Sequence, residues 1–497
     1  MVRKVSIPVG GCLAVFLVAA SHGARAQQST HESAAKVVEY LLLGDATRGA
    51  GEPMVAVDPT NPRNIIAVAM GDLHRPDDSP VTHGMTDAYH ALPNSTITWL
   101  GVTHDGGRTW KVGELPILDH KQFTRCPDSF ITVSPDGTFY AGCEPRETAG
   151  DFFGGSYMVV SKDKGDTWGA PVPMITSYDK PRFAPGLKPR IGGNSPWDRP
   201  FLKVDPSTGT VFAQAGGGET DADQKPGVYR TQAYITASTD GGRSFGTIYS
   251  WDSPEYPELG RGDFAVSHGT LLVVYLARSA PATGGATCPC TVMGLSRDLG
   301  KTFQYHVLPD VPAQRAPGPP PTGVRPLVGG KPAPFPGAGG PGGLKLVADQ
   351  SKPGHFALMV VHEDRLEVSV STDFGATWSG WRPAGSVPET KIAKPWMDFS
   401  STGALALMWR AIHADGSYEI YSTASSDGGS TFSQPLRVSR SPSPYRIDER
   451  AGGWFGDDIQ DLVVDRDEVY MVWGDSRSGF LGTWFSRVPL AAYDLPH

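Results

Sequence analysis

One short motif occurs six times along this chain and constrains its fold more than any other feature. Each copy follows the pattern Ser/Thr-x-Asp-x-Gly-x-Ser/Thr-Trp/Phe, as in Ser161-Lys-Asp-Lys-Gly-Asp-Thr-Trp168. The aspartates of the six copies are Asp105, Asp163, Asp240, Asp298, Asp373 and Asp427. In a turn, such a carboxylate accepts backbone N–H bonds, the glycine adopts positive φ, and the closing aromatic ring anchors the turn in an apolar layer. The spacing between successive aspartates is typical of one β-propeller blade per copy, and too long for a solenoid or a heptad repeat.

A second, fainter repeat occurs seven times, one time more than the motif. It consists of two apolar strands joined by a tight turn, as in Pro200–Val204 followed by Thr210–Ala213. Seven such hairpins predict an all-β fold with a single seven-bladed β-propeller of four-stranded antiparallel blades over residues 27–497. Six blades is the alternative, if the last hairpin merely caps the first blade. The seventh hairpin is followed by a third strand but no fourth, and Lys36–Leu43 is predicted to supply it, so that N- and C-terminal strands close the ring.

The sixfold motif resembles the Asp-box, or BNR repeat, of the sialidase-like superfamily. The likeness covers nearly the whole chain. In such propellers the Asp-box turns lie on the face away from the active-site mouth, so the resemblance implies a structural role for the six aspartates. Two further segments, Trp197–Phe201 and Gly453–Ile459 together with Val472–Gly479, resemble motifs of secreted bacterial BNR-repeat proteins of unassigned function.

The N-terminal segment 1–26 has the features of a signal peptide. Arg3 and Lys4 form a charged start, an apolar stretch follows, and Ala24-Arg25-Ala26 is an A-x-A cleavage site. A retained anchor is the alternative, but the apolar stretch is short and interrupted by Pro8. Cleavage would remove three basic and no acidic residues from a chain of net charge −8. We therefore expect an exported monomer, periplasmic or extracellular, with no nucleic-acid partner and no membrane partner after cleavage.

Four cysteines remain after such cleavage, and an even number in an exported chain favours disulfides. Cys126 and Cys143 bracket the two strands of one hairpin and are predicted to pair. Cys288 and Cys290 are separated by a single proline, so a direct bond between them would be strained. A soft-metal site is the alternative for this pair.

Charged residues recur where the chain enters six of the seven innermost strands, at the mouth of the axial channel. They are Glu52, Arg125, Asp128, Asp198, Arg199, Arg261, Asp263, Lys394, Asp398, Asp457 and Asp458. Carboxylates that accept hydroxyl hydrogen bonds and cations that grip an anionic substituent suit a carbohydrate or another small polar ligand. The alternative is that these groups pair with one another between adjacent blades.

A sialidase needs an arginine triad, a Tyr nucleophile assisted by Glu, and an Asp acid/base. The first arginine of that family lies in a Phe/Tyr-Arg-Ile-Pro motif ahead of the first Asp-box, and nothing between Gln27 and Asp105 matches it. Arg410 and the Tyr418–Tyr421 strand lie near the mouth without a family motif. We therefore predict a ligand-binding propeller with no recognisable catalytic set, and keep a sialidase-like glycoside hydrolase or lyase as the alternative.

Two long loops have distinctive compositions. The loop at 73–94 carries three histidines and three aspartates, yet their spacing fits no metal-ligand pattern. We expect a solvated polar loop there, with no metal and no cofactor. The Pro/Gly-rich segment at 309–343 is predicted to be a surface loop, with a lid over the axial mouth as the alternative.

Overall fold

Seven antiparallel sheets of four strands each are arranged in a ring and form a seven-bladed β-propeller, as predicted. The computed structural model describes residues 3–4, 37–72, 95–121, 123–147, 154–176, 179, 182–187, 198–219, 230–277, 288–308, 311, 327–328, 331–332, 344–362, 364–443 and 459–495. For a few strand-end residues, including Asp198 and Arg261, only the backbone is described. The 309–343 loop and the 73–94 loop lie almost wholly outside the described residues.

Each blade contributes four strands, counted outward from the axis. The innermost strands are β3 (Gly51–Val57), β8 (Phe130–Val133), β13 (Asp198–Val204), β17 (Glu258–Ser267), β23 (Lys345–Ala348), β27 (Lys391–Phe399) and β31 (Asp461–Asp465). The second strands are β4 (Ile65–Asp72), β9 (Phe139–Cys143), β14 (Val211–Glu219), β18 (Thr270–Ala277), β24 (Phe356–His362), β28 (Leu405–Ile412) and β32 (Glu468–Asp475).

The outer half of each blade has the same antiparallel order. The third strands are β5 (Thr96–Thr103), β11 (Gly155–Ser161), β15 (Arg230–Ser238), β19 (Cys290–Ser296), β25 (Arg365–Ser371), β29 (Tyr418–Ser425) and β33 (Gly482–Pro489). The outer strands are β6 (Lys111–Glu114), β12 (Val172–Thr176), β16 (Tyr249–Ser250), β20 (Gln304–Val307), β26 (Arg382–Gly385), β30 (Leu436–Arg437) and, for the seventh blade, β2 (Val38–Leu43).

A few elements lie outside this pattern. β1 (Arg3–Lys4) pairs with β6, β7 (Phe123–Arg125) pairs with β10 (Arg146–Glu147), and β21 (Leu327–Val328) pairs with β22 (Lys331–Pro332). A 3-10 helix covers Leu490–Ala492. Cys126 and Cys143 form a disulfide beside the β7–β10 pair. Cys288 and Cys290 are joined to each other, so their sulfurs are not held for a soft metal.

The ring closes between the two ends of the chain. β2 pairs antiparallel with β33, and Val38 lies opposite Arg487 while Leu43 lies opposite Thr483. The innermost strand of the seventh blade also contacts that of the first, so that seven inner strands surround the axis without a gap. This confirms the predicted pairing of N- and C-terminal strands. Because the ring is closed, each blade packs between two neighbouring blades, and the third strand of the seventh blade has no unpaired edge.

An ion network holds the closing strand in place. The Arg477 guanidinium lies 2.5 Å from a Glu39 carboxylate oxygen on β2 and 2.8 Å from Asp475 at the end of β32. The Cζ atom of the Arg477 guanidinium also lies 4.0 Å from the ring centroid of Trp484. The Arg440 backbone N–H, from the neighbouring sixth blade, donates to the other oxygen of Glu39. The Gly474–Arg477 motif seen in the sequence is therefore part of the closure.

Replacing Arg477 tests this closure. In Arg477→Met, Glu39 and Asp475 stay almost fully enclosed and lose the guanidinium that contacts both, although the Arg440 Nε remains 3.8 Å from Glu39; removing one partner of a buried ion pair costs about 3 kcal/mol. We expect the free energy of unfolding, measured by urea denaturation, to fall by that amount. The matched control is Arg63→Met, in an exposed turn, with a change within about 0.5 kcal/mol. Equal effects of the two substitutions would contradict the closure role.

The six Asp-box turns share one hydrogen-bond pattern. In the second copy, Asp163 accepts bonds from the Ser161 hydroxyl and from the backbone N–H and hydroxyl of Thr167, while the Gly165 N–H donates to the Ser161 hydroxyl. The same contacts recur at Asp105, Asp240, Asp298, Asp373 and Asp427. The hydrogen bonds from Thr167 lower the pKa of Asp163 to about 2. Each carboxylate is fully used in organising its own turn.

An alanine substitution tests the turn. Asp163→Ala removes the acceptor for two Thr167 donors, so we expect a loss of about 1 to 2 kcal/mol in the free energy of unfolding. The neighbouring Lys162→Ala, whose side chain is exposed, is the control and should change it by less than about 0.5 kcal/mol. Any ligand that binds at the mouth should bind both variants equally. A loss of binding in Asp163→Ala alone would show that this face takes part in function.

Candidate functional site

The two faces of the propeller are distinguished by which turns they carry. The Asp-box turns lie on the same face as the turns between first and second strands, because Lys164 of the second Asp-box donates to the Gly137 carbonyl in one such turn and pairs with Asp58 in another. The chain therefore enters each innermost strand on the opposite face. We call that face the mouth.

Charged residues at the mouth share an uncommon backbone conformation. Glu52, Asp128, Arg199 and Lys394 have φ of 48°, 52°, 53° and 49°. Each lies six positions before the residue that begins the turn to the second strand, so they occupy one repeat position in four blades. Glu52 and Lys394 are almost fully buried, and Asp128 and Arg199 are half-buried. We call these four residues the mouth ring.

The mouth ring is produced by a repeated irregularity of the innermost strands. The register between β3 and β4 shifts between Gly51 and Met54, and equivalent shifts occur in β13 and β27. A proline follows Glu52, Arg199 and Lys394, which removes the N–H that would otherwise continue the ladder. A non-glycine residue in the left-handed region costs about 1 to 3 kcal/mol. Four such residues at one repeat position are a reason to place function there.

Asp128 links two blades, and the other predicted mouth residues differ in how far the structure describes them. The Asp128 carboxylate accepts the Arg199 backbone N–H at 3.1 Å, which links the second blade to the third. Asp198 and Arg261 lie at the mouth ends of β13 and β17 by their backbones, whereas Asp457 and Asp458 lie outside the described residues. Arg125 is buried at the start of the second blade, where burial and then the Arg146 guanidinium lower its pKa to about 10. At Asp128, the contact between adjacent blades is thus made to a backbone N–H.

Three side chains meet across the axis just below the mouth ring. The rings of Phe201 on the third blade and Trp396 on the sixth have centroids 6.3 Å apart. The Lys345 ammonium of the fifth blade lies 3.2 Å from the Trp396 centroid and 5.8 Å from that of Phe201. Blades that are not neighbours can touch only across the central channel. These three residues therefore form a floor under the mouth.

Three carboxylates line the axis and satisfy the free edges of the innermost strands. Asp263 accepts the Leu346 N–H at 3.0 Å, Asp398 accepts the Val464 N–H at 3.2 Å, and Asp461 accepts the Val55 N–H at 2.9 Å. Each acceptor lies one blade before its donor. An inner strand has no partner on its axial side, so these carboxylates supply the acceptors that its backbone lacks.

Burial shifts the pKa values of the axial groups toward neutrality. Burial raises the pKa of Asp398 to about 7 and that of Asp461 to about 6, against the opposing charge of Lys203. Burial lowers the pKa of Lys345 to about 8, although the Asp263 carboxylate opposes the shift. Lys203, Lys345 and Asp461 were missed in the sequence analysis. The available signal was a charged residue inside a short apolar strand, as in Phe201-Leu-Lys-Val204.

These shifts predict a pH dependence of stability. Asp398 binds its proton more tightly in the folded than in the unfolded chain, whose aspartates have pKa values of about 3.9. The favourable contribution of Asp398 to the free energy of unfolding is therefore absent well above pH 7, and it increases as pH falls from 7 toward 4. Asp461 acts in the same direction from about pH 6 downward, while the unfavourable charge of Lys345 is constant below pH 8.

We therefore expect the protein to melt at a higher temperature at pH 5 than at pH 8, at matched ionic strength. Asp398→Asn keeps an oxygen for the Val464 N–H but removes the titration, so it should reduce the difference between the two pH values. Asp415→Asn, at an exposed turn, is the control and should leave the difference unchanged. An unchanged difference in Asp398→Asn would contradict this assignment.

The residues considered for a sialidase site are engaged elsewhere. The Arg410 guanidinium donates to the Gln460 side chain at 3.0 Å and to the Gly474 carbonyl at 3.3 Å, between the sixth and seventh blades. Glu419 pairs with Arg437 at 2.8 Å and with His413 at 3.1 Å. Arg410 and Glu419 instead belong to separate networks of the sixth blade.

The part of the chain that the structure describes contains neither a metal-ligand cluster nor a membrane-spanning helix. No group of three or more His, Cys, Asp and Glu side chains is placed there to hold a metal ion. No helix within the same residues has the length and apolar character needed to cross a bilayer. The histidines of the 73–94 loop fall outside the described residues.

Comparison with known proteins gives likenesses in structure only. No protein-family model matches the sequence. No curated protein matches it at a significant level.

Among solved structures, a protein of unknown function from Dyadobacter fermentans is 13% identical, with 78% of this chain and 98% of that chain covered and a TM-score of 0.45. The Hadza microbial sialidase Hz136 is 14% identical over 92% of this chain and 96% of its own, with a TM-score of 0.42. An α-L-arabinofuranosidase of Fusarium graminearum is 13% identical over 75% and 96%, with a TM-score of 0.39. These values assign no activity to this chain.

Proposed function

We propose that this propeller binds a carbohydrate, or a polar ligand of similar size, at its axial mouth. The observation that carries the proposal is the mouth ring, in which four charged residues at one repeat position are held in a strained backbone conformation. Strain of this kind persists where the surrounding structure fixes a side chain for a task. Bulges of this type re-aim side chains at the rims of barrels and beside active sites.

The chemistry of the mouth supports a carbohydrate as the ligand class. Glu52 and Asp128 supply acceptors for hydroxyl groups, and Arg199 and Lys394 supply charged donors. Below them, Phe201 and Trp396 provide an aromatic floor against which the apolar face of a sugar ring can pack. A few polar groups above an apolar floor are typical of small-molecule sites. The Asp-box resemblance in the sequence points to the same class.

Glycine substitutions at the mouth ring separate binding from folding. Arg199→Gly and Lys394→Gly remove a charged side chain and relieve left-handed strain, while the backbone N–H of residue 199 and the carbonyl of residue 394 keep their hydrogen bonds. We expect binding to the best ligand from a panel of neutral and acidic oligosaccharides, measured by calorimetry, to weaken about tenfold or more, or about 1.4 kcal/mol. The melting temperature should change less in Arg199→Gly, whose side chain is half-buried, than in Lys394→Gly, whose side chain is almost fully buried.

A matched control lies on the opposite face. Arg466 is also a charged residue in the left-handed region, with φ of 47°, but it is in a turn on the Asp-box face. Arg466→Gly should leave binding unchanged. Equal losses in Arg466→Gly and Arg199→Gly would contradict a mouth site, and so would the absence of any oligosaccharide ligand.

A glycoside hydrolase or lyase is the alternative to a binding protein. No described residue set favours it, because Arg410 and Glu419 are engaged in other networks. The same purified protein can be assayed on chromogenic glycosides and sialosides. Turnover that is lost in Arg199→Gly and retained in Arg466→Gly would show that the mouth is a catalytic site and not only a binding site.

We further propose that the protein acts outside the cytoplasm as a monomer. The charged start, apolar stretch and A-x-A site of the segment 1–26 support export, and the acidic net charge of −8 disfavours nucleic-acid partners. Fractionation of the producing cell followed by mass spectrometry of the mature N-terminus tests this. A mature chain that begins at Gln27 is the expected result, and a cytoplasmic chain that begins at Met1 is the contrary one.

A further inference from the structure

Two lysines in the axial channel hold ammonium groups for which the described residues provide no hydrogen-bond acceptor. Lys345 is only 5% exposed, and its ammonium faces the rings of Trp396 and Phe201. Lys203 lies two positions beyond Phe201 on β13, hence about 7 Å deeper. Among the described residues, neither ammonium has an acceptor within hydrogen-bond distance or a carboxylate within ion-pair distance.

The nearby carboxylates are already occupied by backbone donors. Asp461 accepts N–H bonds from Val55 and Leu462, and Asp263 accepts them from Leu346 and Phe264. Asp398 accepts that of Val464. Within the part of the chain that the structure describes, the three axial carboxylates are therefore engaged and the two lysine ammonium groups are not.

A buried ammonium in this state is costly. An aromatic face compensates only part of the desolvation cost of a buried cation, and hydrogen-bond acceptors are needed to offset the rest. Lys203, Asp263 and Asp398 remain partly exposed although they lie at the axis, so solvent-sized space reaches this depth. An anionic ligand in that space would provide the missing acceptors.

We propose that Lys203 and Lys345 form a binding site for one small oxyanion in the axial channel beneath the mouth. A cation does not fit, because the free groups are donors. The Phe201 and Trp396 rings, with centroids 6.3 Å apart, narrow the channel at the level of Lys345, which favours a small group such as a phosphate, a sulfate or a single carboxylate. The oxyanion has two sources: a free inorganic ion, or the acidic substituent of a sugar bound at the mouth. The site differs from the mouth ring in residues and depth.

Calorimetric titration of the whole protein with inorganic phosphate tests the site, at pH 7 and constant ionic strength and with no sugar present. We expect saturable binding that weakens about tenfold or more in Lys345→Met and in Lys203→Met. Methionine keeps much of the apolar stem and removes the buried charge, so folding should be retained. Lys352→Met, on an exposed turn of the fifth blade, is the matched control and should bind like the unaltered chain.

A variant that should bind phosphate more tightly distinguishes a specific effect on binding from a general loss of structure. With a pKa of about 7, Asp398 carries a partial negative charge beside Lys203 at pH 7. Asp398→Asn removes that charge and keeps an acceptor for the Val464 N–H, so phosphate should bind more tightly. If Lys345→Met does not fold, Lys203→Met and Asp398→Asn carry the test. Equal binding by all variants, including Lys352→Met, would overturn the proposal.

Parallel titrations with glucuronate and glucose distinguish the two sources. Glucuronate binding that is lost in Lys345→Met, with no phosphate binding, identifies a sugar carboxylate as the ligand group and supports the site. Phosphate binding alone identifies a free ion and supports the site even if no sugar binds at the mouth. Binding of neither, or glucuronate binding that both lysine variants retain, contradicts it.

Discussion

Pairing of β2 with β33 is the contact on which the rest of this structure depends. Six blades are built from strands that follow one another along the chain, but the seventh takes its outer strand from Val38–Leu43, ahead of the first blade. Without that pairing, the third strand of the last blade has an open edge and the ring has an end. The Arg477 ion network with Glu39 shows how the contact is secured. Closure at seven blades also determines how wide the axis is, and hence which side chains meet across it.

A closed ring of sheets places seven unpaired strand edges around one axis. Their N–H groups need acceptors away from bulk water, and Asp263, Asp398 and Asp461 supply them from the preceding blade. Carboxylates fixed for this reason make the axis polar. Lys203 and Lys345, from other blades, balance the charge of these carboxylates without a direct ion pair. The polar axis and the strained mouth ring are thus consequences of the same architecture, and they give one face a chemistry that the Asp-box face lacks.

Much of this fold is readable from the sequence because each blade repeats local signals. The Asp-box turns depend on contacts within a single copy of the motif, and the seven inner hairpins on short apolar runs, so blade number and closure could be predicted. Glu52, Asp128, Arg199 and Lys394 were found for the same reason, since each lies at a fixed distance before a recognisable turn. Lys345 and Asp461 were missed. Their role arises from contacts between blades that are far apart in sequence, such as Lys345 with Trp396, and no local pattern encodes such contacts. The same limit applies to Glu39 and Arg477.

We propose that function lies at the mouth and not on the Asp-box face. A crystal structure of the protein with its best oligosaccharide ligand would show where the ligand binds. We expect ligand density above Phe201 and Trp396, in contact with Arg199 or Lys394 of the mouth ring. Density on the outer strands, or among the turns that contain Asp105 and Asp163, would contradict it.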